Sequence, residues 1–391
     1  MNDEARAIED FFRRRYGREA LFVPSGRLAL YLAFGEWLRP GDRLLMSPVN
    51  DDVVFFTVLA AGLEPVLGPV NPRTGNLDPT AIDDSTWAGL KGVMTTNLYG
   101  TPDRMDVLQE KAREHGLILL EDACHALDTS FNGRRIGTFG TAAAYSLSKH
   151  LHIAGGVLSF SDPTRRPVLA QRALSQLRSG LFSASGISKF AALLETTGIR
   201  DRTPPWLARL GHRVAPRGQR GSGHRMRFAA ADVARALREG GGLDAFDRWV
   251  RQDNPAYRTW PLRASLREAR KRLESFEENR RARLEGARAL LDLGYTPADM
   301  AIPRDAALLR VPLFVQDRER VIARLEQRGL RTEYVYDPPL DLYAPGLAQR
   351  LPSPPTARIW SRDVLPVNPL LAGRFIALTR EMQDLCTPIA D

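Results

Sequence analysis

Two short polar stretches in the first third of the chain could bind charged groups. At Ser25-Gly26-Arg27 an apolar run ends and a helical pattern begins, so Ser25 can cap the helix and the N–H groups of Gly26 and Arg27 would point at an anion. At Glu121-Asp122-Ala123-Cys124-His125 the acids follow the apolar run LILLE, where a buried carboxylate is costly unless it meets a positive partner. His125 could reach the same ligand. A plain helix cap, and a salt-bridged acid beside a surface histidine, are the alternative interpretations.

A candidate nucleophile and a glycine pair follow along the chain. Lys149 lies in Ser146-Leu147-Ser148-Lys149, at the end of the apolar segment TAAAYSL, and lysine is rare here, occurring only at positions 91, 111, 149, 189 and 271. A lysine that is partly desolvated at a strand end loses its proton more easily and can attack a carbonyl. A solvated surface lysine is the ordinary alternative. Gly155-Gly156 permits close backbone approach to a ligand, or a tight turn.

Together these four stretches match what a pyridoxal phosphate site requires. A helix N-terminus takes the phosphate, an aspartate keeps the ring nitrogen protonated, and a lysine holds the aldehyde as a Schiff base. In this interpretation the three tasks belong to the Ser25 turn, Asp122 and Lys149. The sequence therefore predicts pyridoxal 5′-phosphate as cofactor. No metal is predicted, because Cys124 and Cys386 are too few for a four-cysteine zinc site.

The elements that must position these stretches alternate between short apolar runs and helical patterns. Such alternation predicts an α/β fold with a mostly parallel sheet covered by helices on both faces. Strands are predicted at 20–24, 43–47, 64–70, 91–97, 117–121, 141–147 and 156–160, and helices at 5–16, directly after Ser25-Gly26, at 52–61 and at 104–115.

The second part of the chain predicts a smaller α+β unit. We divide the chain into a large domain, 1–245, and a small C-terminal domain, 246–391. The large domain includes an irregular excursion at 201–223, rich in Pro, Gly and Arg, which is a candidate substrate-facing or partner-facing element. The small domain is predicted to contain a long helix at 265–293, strands at 307–315 and 330–336, and helices at 317–329 and 373–385.

Composition and charge exclude several classes of protein. The chain has 391 residues, 43% hydrophobic and 26% charged, which is ordinary for a folded protein of about two domains. No apolar run is long enough to cross a bilayer, and the N-terminal MNDEARAIEDFFRRRYG has no apolar core, so we expect a cytoplasmic protein without a membrane anchor. The net charge of +9 makes nucleic acid an alternative partner. However, the arginines are interleaved with acids, as on solvated helix faces, so we expect no nucleic acid partner.

The motifs resemble those of the DegT/DnrJ/EryC1/StrS sugar aminotransferases, which are fold type I pyridoxal phosphate enzymes. EDACHAL at 121–127 is similar to the family's Glu-Asp-Ala-Ala-Gln/His-Ala, and NLYG at 97–100 is similar to its His/Asn-Leu-Tyr-Gly. The resemblance keeps its order from about residue 10 to residue 160, is weaker at DPPLDLY and VLPVNP, and is poor in the middle of the chain. It implies the fold type I architecture, a large sheet domain followed by a smaller α+β domain. It also implies a homodimer whose active site lies at the subunit interface.

Carried over by position, the resemblance implies a role for each candidate residue. Lys149 would form the Schiff base and later move a proton, Asp122 would pair with the pyridine nitrogen, and His125 would contact the side of the phenolic oxygen. Ser146 and the Ser25-Gly26-Arg27 turn would bind the phosphate. The residues expected near the cofactor or the substrate are Asn97, Tyr99 and Arg225.

The sequence also departs from the family pattern. Arg27 stands where the family usually has Thr, and the segment between Ser146 and Lys149 is two residues shorter than in most members. The segment that usually supplies an aromatic residue stacking on the ring reads VNDDVVFF, so that residue cannot be assigned. Gly223 replaces the asparagine that reaches the partner subunit's phosphate, and Arg27 or Arg225 is a candidate to compensate.

Three functions follow from these observations. The first is transfer of an amino group from glutamate or glutamine to a keto-sugar, nucleotide-linked, or to a keto-cyclitol, in amino-sugar or natural-product biosynthesis. The second is removal of a sugar hydroxyl, because some relatives carry His in place of the Lys and His150 lies beside Lys149 here. The third is a non-catalytic member that binds a ligand or nucleic acid through its basic surface. Formation of an aminated or a deoxygenated sugar separates the first two, and salt-dependent DNA binding without cofactor uptake would favour the third.

Overall fold

A computed structural model describes residues 3–178, 225–332, 335–352 and 356–381. The predicted excursion at 201–223 therefore lies outside the described residues, as does Gly223. The strands are β1 (Glu19–Val23), β2 (Arg43–Met46), β3 (Glu64–Leu67), β4 (Gly92–Thr95), β5 (Ile118–Asp122), β6 (Ser130–Phe131), β7 (Arg134–Arg135), β8 (Ala142–Ser146), β9 (Gly156–Phe160), β10 (Val311–Phe314), β11 (Gln349–Arg350) and β12 (Val364–Val367).

Helices alternate with these strands, as the sequence predicts for an α/β fold. The helices are α1 (Asp3–Tyr16), α2 (Gly26–Trp37), α3 (Asp52–Ala60), α4 (Asp84–Ala88), α5 (Met105–His115), α6 (Leu147–Leu151), α7 (Arg166–Gln176), α8 (Ala230–Arg238), α9 (Gly242–Ala245), α10 (Asp247–Val250), α11 (Arg263–Glu274), α12 (Phe276–Leu291), α13 (Arg318–Gln327), α14 (Leu340–Tyr343), α15 (Thr356–Asp363) and α16 (Ala372–Glu381). Within the described ranges, none of them combines the length and the apolar character needed to cross a membrane.

A mixed sheet of eight strands forms the centre of the molecule. Its order is β1-β9-β8-β5-β4-β2-β3-β11, and β9 runs antiparallel to both of its neighbours while the pairs from β8 to β11 are parallel. Both faces of the sheet are covered. Along β2 and β5, Leu44 and Leu120 enter the core with α2 and α3, whereas Leu45 and Leu119 enter the core with α1 and α5. This explains the nearly continuous apolar runs of these strands.

A separate, smaller core lies toward the C-terminus. The antiparallel pair β10 and β12 packs with α12, α13 and α16, and Leu290, Val311 and Leu365 are completely buried there. The predicted domain boundary at 245/246 stays a prediction. Phe246 lies in the core under α3, and Leu266 of α11 packs with α1, so part of the segment after residue 245 contacts the large sheet.

Three secondary-structure predictions need correction. The single helix expected at 265–293 is two helices separated at Ser275, because α11 packs on α1 and α6 whereas α12 packs on α16 and β10. The strand expected at 307–315 is limited to β10, because the N–H groups of Leu309 and Arg310 bond to the carbonyl of Tyr99 instead. The described residues of 330–336 form no strand; Tyr336 stacks on Tyr99 there, with ring centroids 6.1 Å apart.

Candidate active site

The candidate site lies at the carboxyl ends of four adjacent strands, in the order β8, β5, β4 and β2. Ser146 ends β8, Asp122 ends β5, and the loops after β4 and β2 carry Asn97 and Asn50. Side-chain amides connect neighbouring strand ends: Nδ2 of Asn97 donates to the backbone oxygen of Asp122 (3.1 Å), and Nδ2 of Asn50 donates to Oγ1 of Thr96 (3.3 Å). In open α/β sheets this edge is where ligands bind.

The Ser25 turn forms the predicted helix cap. Oγ of Ser25 accepts a hydrogen bond from the Leu28 N–H (3.2 Å) and donates its own proton to the Tyr257 carbonyl (2.9 Å). Since its proton is already used, this hydroxyl can only offer an acceptor to a further ligand. The first N–H groups of a helix, here those of Gly26 and Arg27, have no acceptor within the helix and attract anions.

All four predicted stretches meet at this turn. A Cβ atom placed on Gly26 would lie 2.8 Å from Sγ of Cys124 and 3.1 Å from Cβ of Ser146. A Cβ atom placed on Gly156 would lie 2.4 Å from the carbonyl carbon of Ser25 and 2.5 Å from the nitrogen of Gly26. Two glycines thus allow the backbone of the turn to pack directly against the ends of β5, β8 and β9.

The guanidinium of Arg27 bonds to the segment at 250–253. It donates to the carbonyls of Val250 (2.5 Å) and Gln252 (2.8 Å) and to Oδ1 of Asp253 (2.8 Å), and it lies over the ring of Tyr257. The expectation that this side chain compensates for Gly223 therefore has no support in these contacts. Of the groups of Arg27 itself, only the backbone N–H remains a candidate donor to the phosphate.

Asp122 is a buried acid within reach of the positive charge of Lys149. Its Oδ1 accepts a hydrogen bond from the Cys124 N–H (3.0 Å). Burial raises the pKa of Asp122 to about 6, while hydrogen bonds from Cys124 and the charge of Lys149 act in the opposite direction. A cationic partner would strongly stabilise the ionised form of this buried acid, because the attraction between the two charges offsets the cost of desolvating the carboxylate.

Glu121, the other acid of this motif, has a structural role. Neighbouring residues of a strand point to opposite faces, so Glu121 and Asp122 cannot face the same ligand. The carboxylate of Glu121 is fully buried and accepts hydrogen bonds from the N–H groups of Gly137 (2.5 Å), Phe139 (2.7 Å) and Gly140 (2.6 Å). The carboxylate of Glu121 therefore fixes the conformation of the loop at 137–140, which precedes β8.

His125 is held as a neutral ring. Its Nδ1 accepts a hydrogen bond from the Tyr99 N–H (3.3 Å), and its ring lies nearly parallel to that of Tyr99, with centroids 6.2 Å apart. Burial lowers the pKa of His125 well below its usual value, and the charges of Lys149 and Arg310 act in the same direction. Because Nδ1 accepts, the proton lies on Nε2, which can donate to an oxygen atom.

Lys149 and His150 are neighbours in α6 but have different environments. Lys149 is half-buried, and its charge acts on Asp122, Cys124 and His125. His150 is buried, its Nε2 accepts from the Leu127 N–H (3.5 Å), and burial lowers its pKa well below the usual range. Ser146, directly before α6, is buried, and its Oγ lies 2.9 Å from Oγ of Ser148.

Asn97 and Tyr99 are buried beside Asp122 and His125. The amide of Asn97 donates to Oγ1 of Thr95 (2.9 Å) and to the backbone of Asp122, and its oxygen accepts the Asp103 N–H (3.2 Å). The ring of Tyr99 lies between those of His125 and Tyr336. Both side chains therefore stabilise the carboxyl ends of β4 and β5 through contacts with other protein groups.

Arg225, the third residue expected near the ligand, joins two loops. Its guanidinium donates to the carbonyls of Asn50 (2.6 Å) and Pro338 (2.8 Å) and lies over the rings of Tyr336 and Tyr343, at 5.6 and 5.3 Å from their centroids. It thus connects the loop after β2 with the segment before α14. The guanidinium of Arg225 is thus engaged by carbonyl oxygens and aromatic rings of the protein itself.

Sequence reasoning missed Asp51 and the role of Cys124. Asp51 caps α3, with Oδ1 accepting the Val53 N–H (2.9 Å), and its charge raises the pKa values of both Asp122 and His125. Cys124 packs between Asp122 and Gly26, where burial raises the pKa of its thiol well above the usual value. The pair of acids in VNDDVV, directly after a strand, is the sequence pattern that could have indicated Asp51 as a residue near the site.

Comparison with solved structures defines the fold. DesV of S. venezuelae, solved in complex with a ketimine intermediate, is 24% identical, with a TM-score of 0.63 over 99% of this chain and 91% of that chain. The GDP-4-keto-6-deoxy-D-mannose-3-dehydratase of E. coli, solved with bound hydrated PLP, is 17% identical, with a TM-score of 0.64 over 97% and 92%. The chain thus has the fold of the type I pyridoxal phosphate-dependent transferases, as predicted.

Sequence comparison finds similarity to one family over the first part of the chain. The model of the DegT/DnrJ/EryC1/StrS aminotransferase family matches residues 3–184. SpsC, a spore coat polysaccharide biosynthesis protein of Bacillus subtilis (strain 168), is 30% identical over 176 residues, 43% of this chain and 45% of that protein. The dTDP-3-amino-3,4,6-trideoxy-alpha-D-glucose transaminase of Streptomyces venezuelae is 34% identical over 151 residues, 37% and 39% of the two chains. Residues 3–184 of this chain are therefore similar to the DegT/DnrJ/EryC1/StrS aminotransferase family. The chain spans less than half the length of both relatives.

Proposed function

We propose that this protein is a pyridoxal phosphate-dependent aminotransferase that moves an amino group from glutamate or glutamine to a keto-sugar or a keto-cyclitol. One observation carries the proposal: the charge of Lys149 acts on the buried acid Asp122 at the edge of the sheet where the α2 N-terminus also lies. A primary amine, an acid in need of a cation, and an anion-binding turn are the three groups that this cofactor requires.

The residues present fit the cofactor. The N–H groups of Gly26 and Arg27 and the hydroxyl of Ser146 would hold its phosphate, and Asp122, with a pKa raised to about 6, would pair with its ring nitrogen. Nε2 of His125 would donate to its phenolic oxygen. When bound, the cofactor supplies an aldehyde that condenses with amines and a ring that accepts electrons from the bond being broken.

The side chains of this protein would then perform two tasks. Nζ of Lys149 would hold the aldehyde carbon at rest and would move the proton from the carbon that carries the amino group during the reaction. The charge of Asp122 would keep a proton on the ring nitrogen. Asn97 and Tyr99 would keep these groups in place through their contacts with Asp122 and His125.

The substrate class rests on the relatives. Besides the S. venezuelae transaminase, the matches include the L-glutamine:2-deoxy-scyllo-inosose aminotransferase of Streptomyces kanamyceticus, 31% identical over 172 residues. These names support a nucleotide-linked keto-sugar or a keto-cyclitol as acceptor and glutamate or glutamine as donor. By the same family relationship we propose a cytoplasmic homodimer in an amino-sugar or natural-product pathway.

A sugar dehydratase is the second candidate. The dTDP-4-dehydro-2,6-dideoxy-D-glucose 3-dehydratase of Saccharopolyspora spinosa is 33% identical over 162 residues, which supports this chemistry in a relative. Two observations favour the aminotransferase. Lys149 is half-buried and its charge acts on Asp122, whereas His150 is buried and its Nε2 is engaged by the Leu127 N–H.

The experiment is cofactor loading followed by product analysis. The purified full chain, supplied with pyridoxal phosphate, should gain a visible absorbance band and a borohydride-trapped adduct that peptide mapping places on Lys149. With glutamate and nucleotide-linked keto-sugars, mass spectrometry should then detect an aminated product. A deoxygenated product would favour the dehydratase, and the absence of both band and adduct would overturn the proposal.

A further inference from the structure

The helix α6, which carries Lys149, is too short to hold its own position. It has five residues, Leu147–Leu151, and helices of this length are not stable without tertiary contacts. The helix ends at His152, whose φ of 54° lies in the left-handed region that is unfavourable for residues other than glycine. The position of Lys149 therefore depends on the elements that contact α6.

The apolar side of α6 packs on α11. Leu147 and Leu151 are buried in one core with Leu266, Ala269 and Leu273 of that helix. These apolar contacts do not satisfy the last four carbonyl groups of α6, which have no hydrogen-bond partner within the helix. Other groups must therefore meet the C-terminal end of α6.

Two arginine side chains donate to these carbonyl groups. Nη1 of Arg272, in α11, donates to the oxygen of Leu151 (2.7 Å), and Nη2 of Arg283, in α12, donates to the oxygen of His150 (3.5 Å). Nε of Arg272 also donates to Oε1 of Glu268, one turn earlier in α11 (3.0 Å), which orients the guanidinium. Both positive charges lie at the end of α6 where the helix dipole favours them.

Arg283 also connects α6 with the loop after β4. Its side chain is 1% exposed, and Nη1 lies 3.4 and 3.3 Å from the carbonyl oxygens of Leu308 and Leu309. The N–H of Leu309 in turn donates to the carbonyl of Tyr99 (2.9 Å). Both arginines belong to the part of the chain beyond residues 3–184, which the family model matches.

We infer that Arg272 is a positioning residue that, together with Arg283, fixes the place of Lys149 in the site by holding the last carbonyl groups of α6. The inference rests on the proposed function of Lys149. A displacement of a reacting group by about 1 Å can slow a reaction roughly 100-fold, so the anchoring of a short helix affects the rate. Hydrogen bonds from a charged donor are also stronger than those between neutral groups.

The variant Arg272→Met tests this role, because methionine keeps much of the apolar stem and removes the donor. Arg270→Met is the matched control: Arg270 lies in the same helix, bonds to Glu4 (2.9 Å) and is similarly exposed, 35% against 31%. Hydrogen exchange of the α6 peptide in the unloaded full chain, measured by mass spectrometry, should become roughly tenfold faster in Arg272→Met. It should stay unchanged in Arg270→Met.

A second measurement separates positioning of the amine from general loosening of the protein. On mixing with pyridoxal phosphate, the visible band should appear roughly tenfold more slowly in Arg272→Met at saturating cofactor. The half-saturating concentration should change little, because the proposed phosphate donors at the start of α2 are untouched. Arg272→Lys keeps a positive charge and one donor, and should recover most of the rate.

Unchanged exchange of the α6 peptide or an unchanged rate of band formation in Arg272→Met would overturn the inference. Equal changes in Arg270→Met would overturn it as well, because they would reflect a loosened α11. If Arg272→Met does not fold, as judged by circular dichroism, Glu268→Ala gives the decision, since it removes the group that orients Arg272 and should cause smaller changes of the same kind. Faster exchange of α6 in a protein whose wild type forms no band would retain the hold of Arg272 on α6 and reject the aminotransferase.

Discussion

Gly156 and Gly26 lie in such close contact that a methyl group on Gly156 would come within 2.5 Å of the nitrogen of Gly26. Gly156 begins β9, and Gly26 begins α2, the helix whose first N–H groups we assign to the phosphate. The anion-binding end of α2 is therefore held against the sheet by a backbone contact that no other residue type permits.

This contact predicts that Gly156→Ala weakens cofactor binding. The added methyl group must displace the Ser25–Gly26 peptide, at a cost of about 1–3 kcal/mol. The dissociation constant for pyridoxal phosphate, measured by absorbance titration, should rise roughly tenfold or more. Gly35→Ala, in the same helix α2, is the matched control: nothing lies within 4 Å of its added atom, so it should raise stability by about 0.5–1 kcal/mol and leave affinity unchanged.

Lys149→Ala should lose the visible band and all transfer activity while remaining folded, because this side chain is only half-buried on a short helix. Lys149→Arg keeps the positive charge beside Asp122 but cannot form a Schiff base, and so should also lack the band. A borohydride-stable adduct in either variant would show that another lysine is the attachment site.

Asp122→Asn should raise the stability of the unloaded protein above pH 6. Burial raises the pKa of Asp122 from 3.8 to about 6, so the folded state binds this proton more tightly than the unfolded state. Wild-type stability should therefore fall as pH rises from about 4 to about 6 and stay lower above it, by an amount on the order of 3 kcal/mol. The variant avoids this loss.

Thermal unfolding at pH 4 and pH 8 measures this difference. Burial also raises the pKa of Asp103 to about 6, but this acid is present in both proteins and cancels in the comparison. Added pyridoxal phosphate should stabilise the wild type more than Asp122→Asn, because the variant cannot pair with a protonated ring nitrogen. Equal stability of both unloaded proteins at pH 8 would contradict the assigned state of Asp122.

Arg27→Met should lower stability but leave cofactor affinity nearly unchanged. The guanidinium bonds to the segment Val250–Asp253 rather than to the strand ends, so its loss removes three hydrogen bonds of about 1 kcal/mol each. Urea denaturation measures the first effect and absorbance titration the second. A large loss of affinity in this variant would mean that the guanidinium reaches the phosphate after all.

Much of this protein could be predicted from local pattern. The apolar runs before Ser25, Asp122 and Ser146 are short and nearly continuous, as expected for strands buried on both faces, and the polar residues at their ends indicated the site. The long amphipathic pattern at 265–293 did not reveal the break at Ser275, because both helices are amphipathic and only their different packing partners separate them.

The sequence by itself determined the fold class, the family that residues 3–184 resemble and the types of residue available for chemistry, because these depend on apolar periodicity and on the order of motifs along the chain. Only the tertiary structure decided which side chains face one another. It placed the guanidinium of Arg27 on the 250–253 segment, bonded the carboxylate of Glu121 to the loop at 137–140, and placed Cys124 against Gly26. Such facts depend on contacts between distant segments, which no local pattern records.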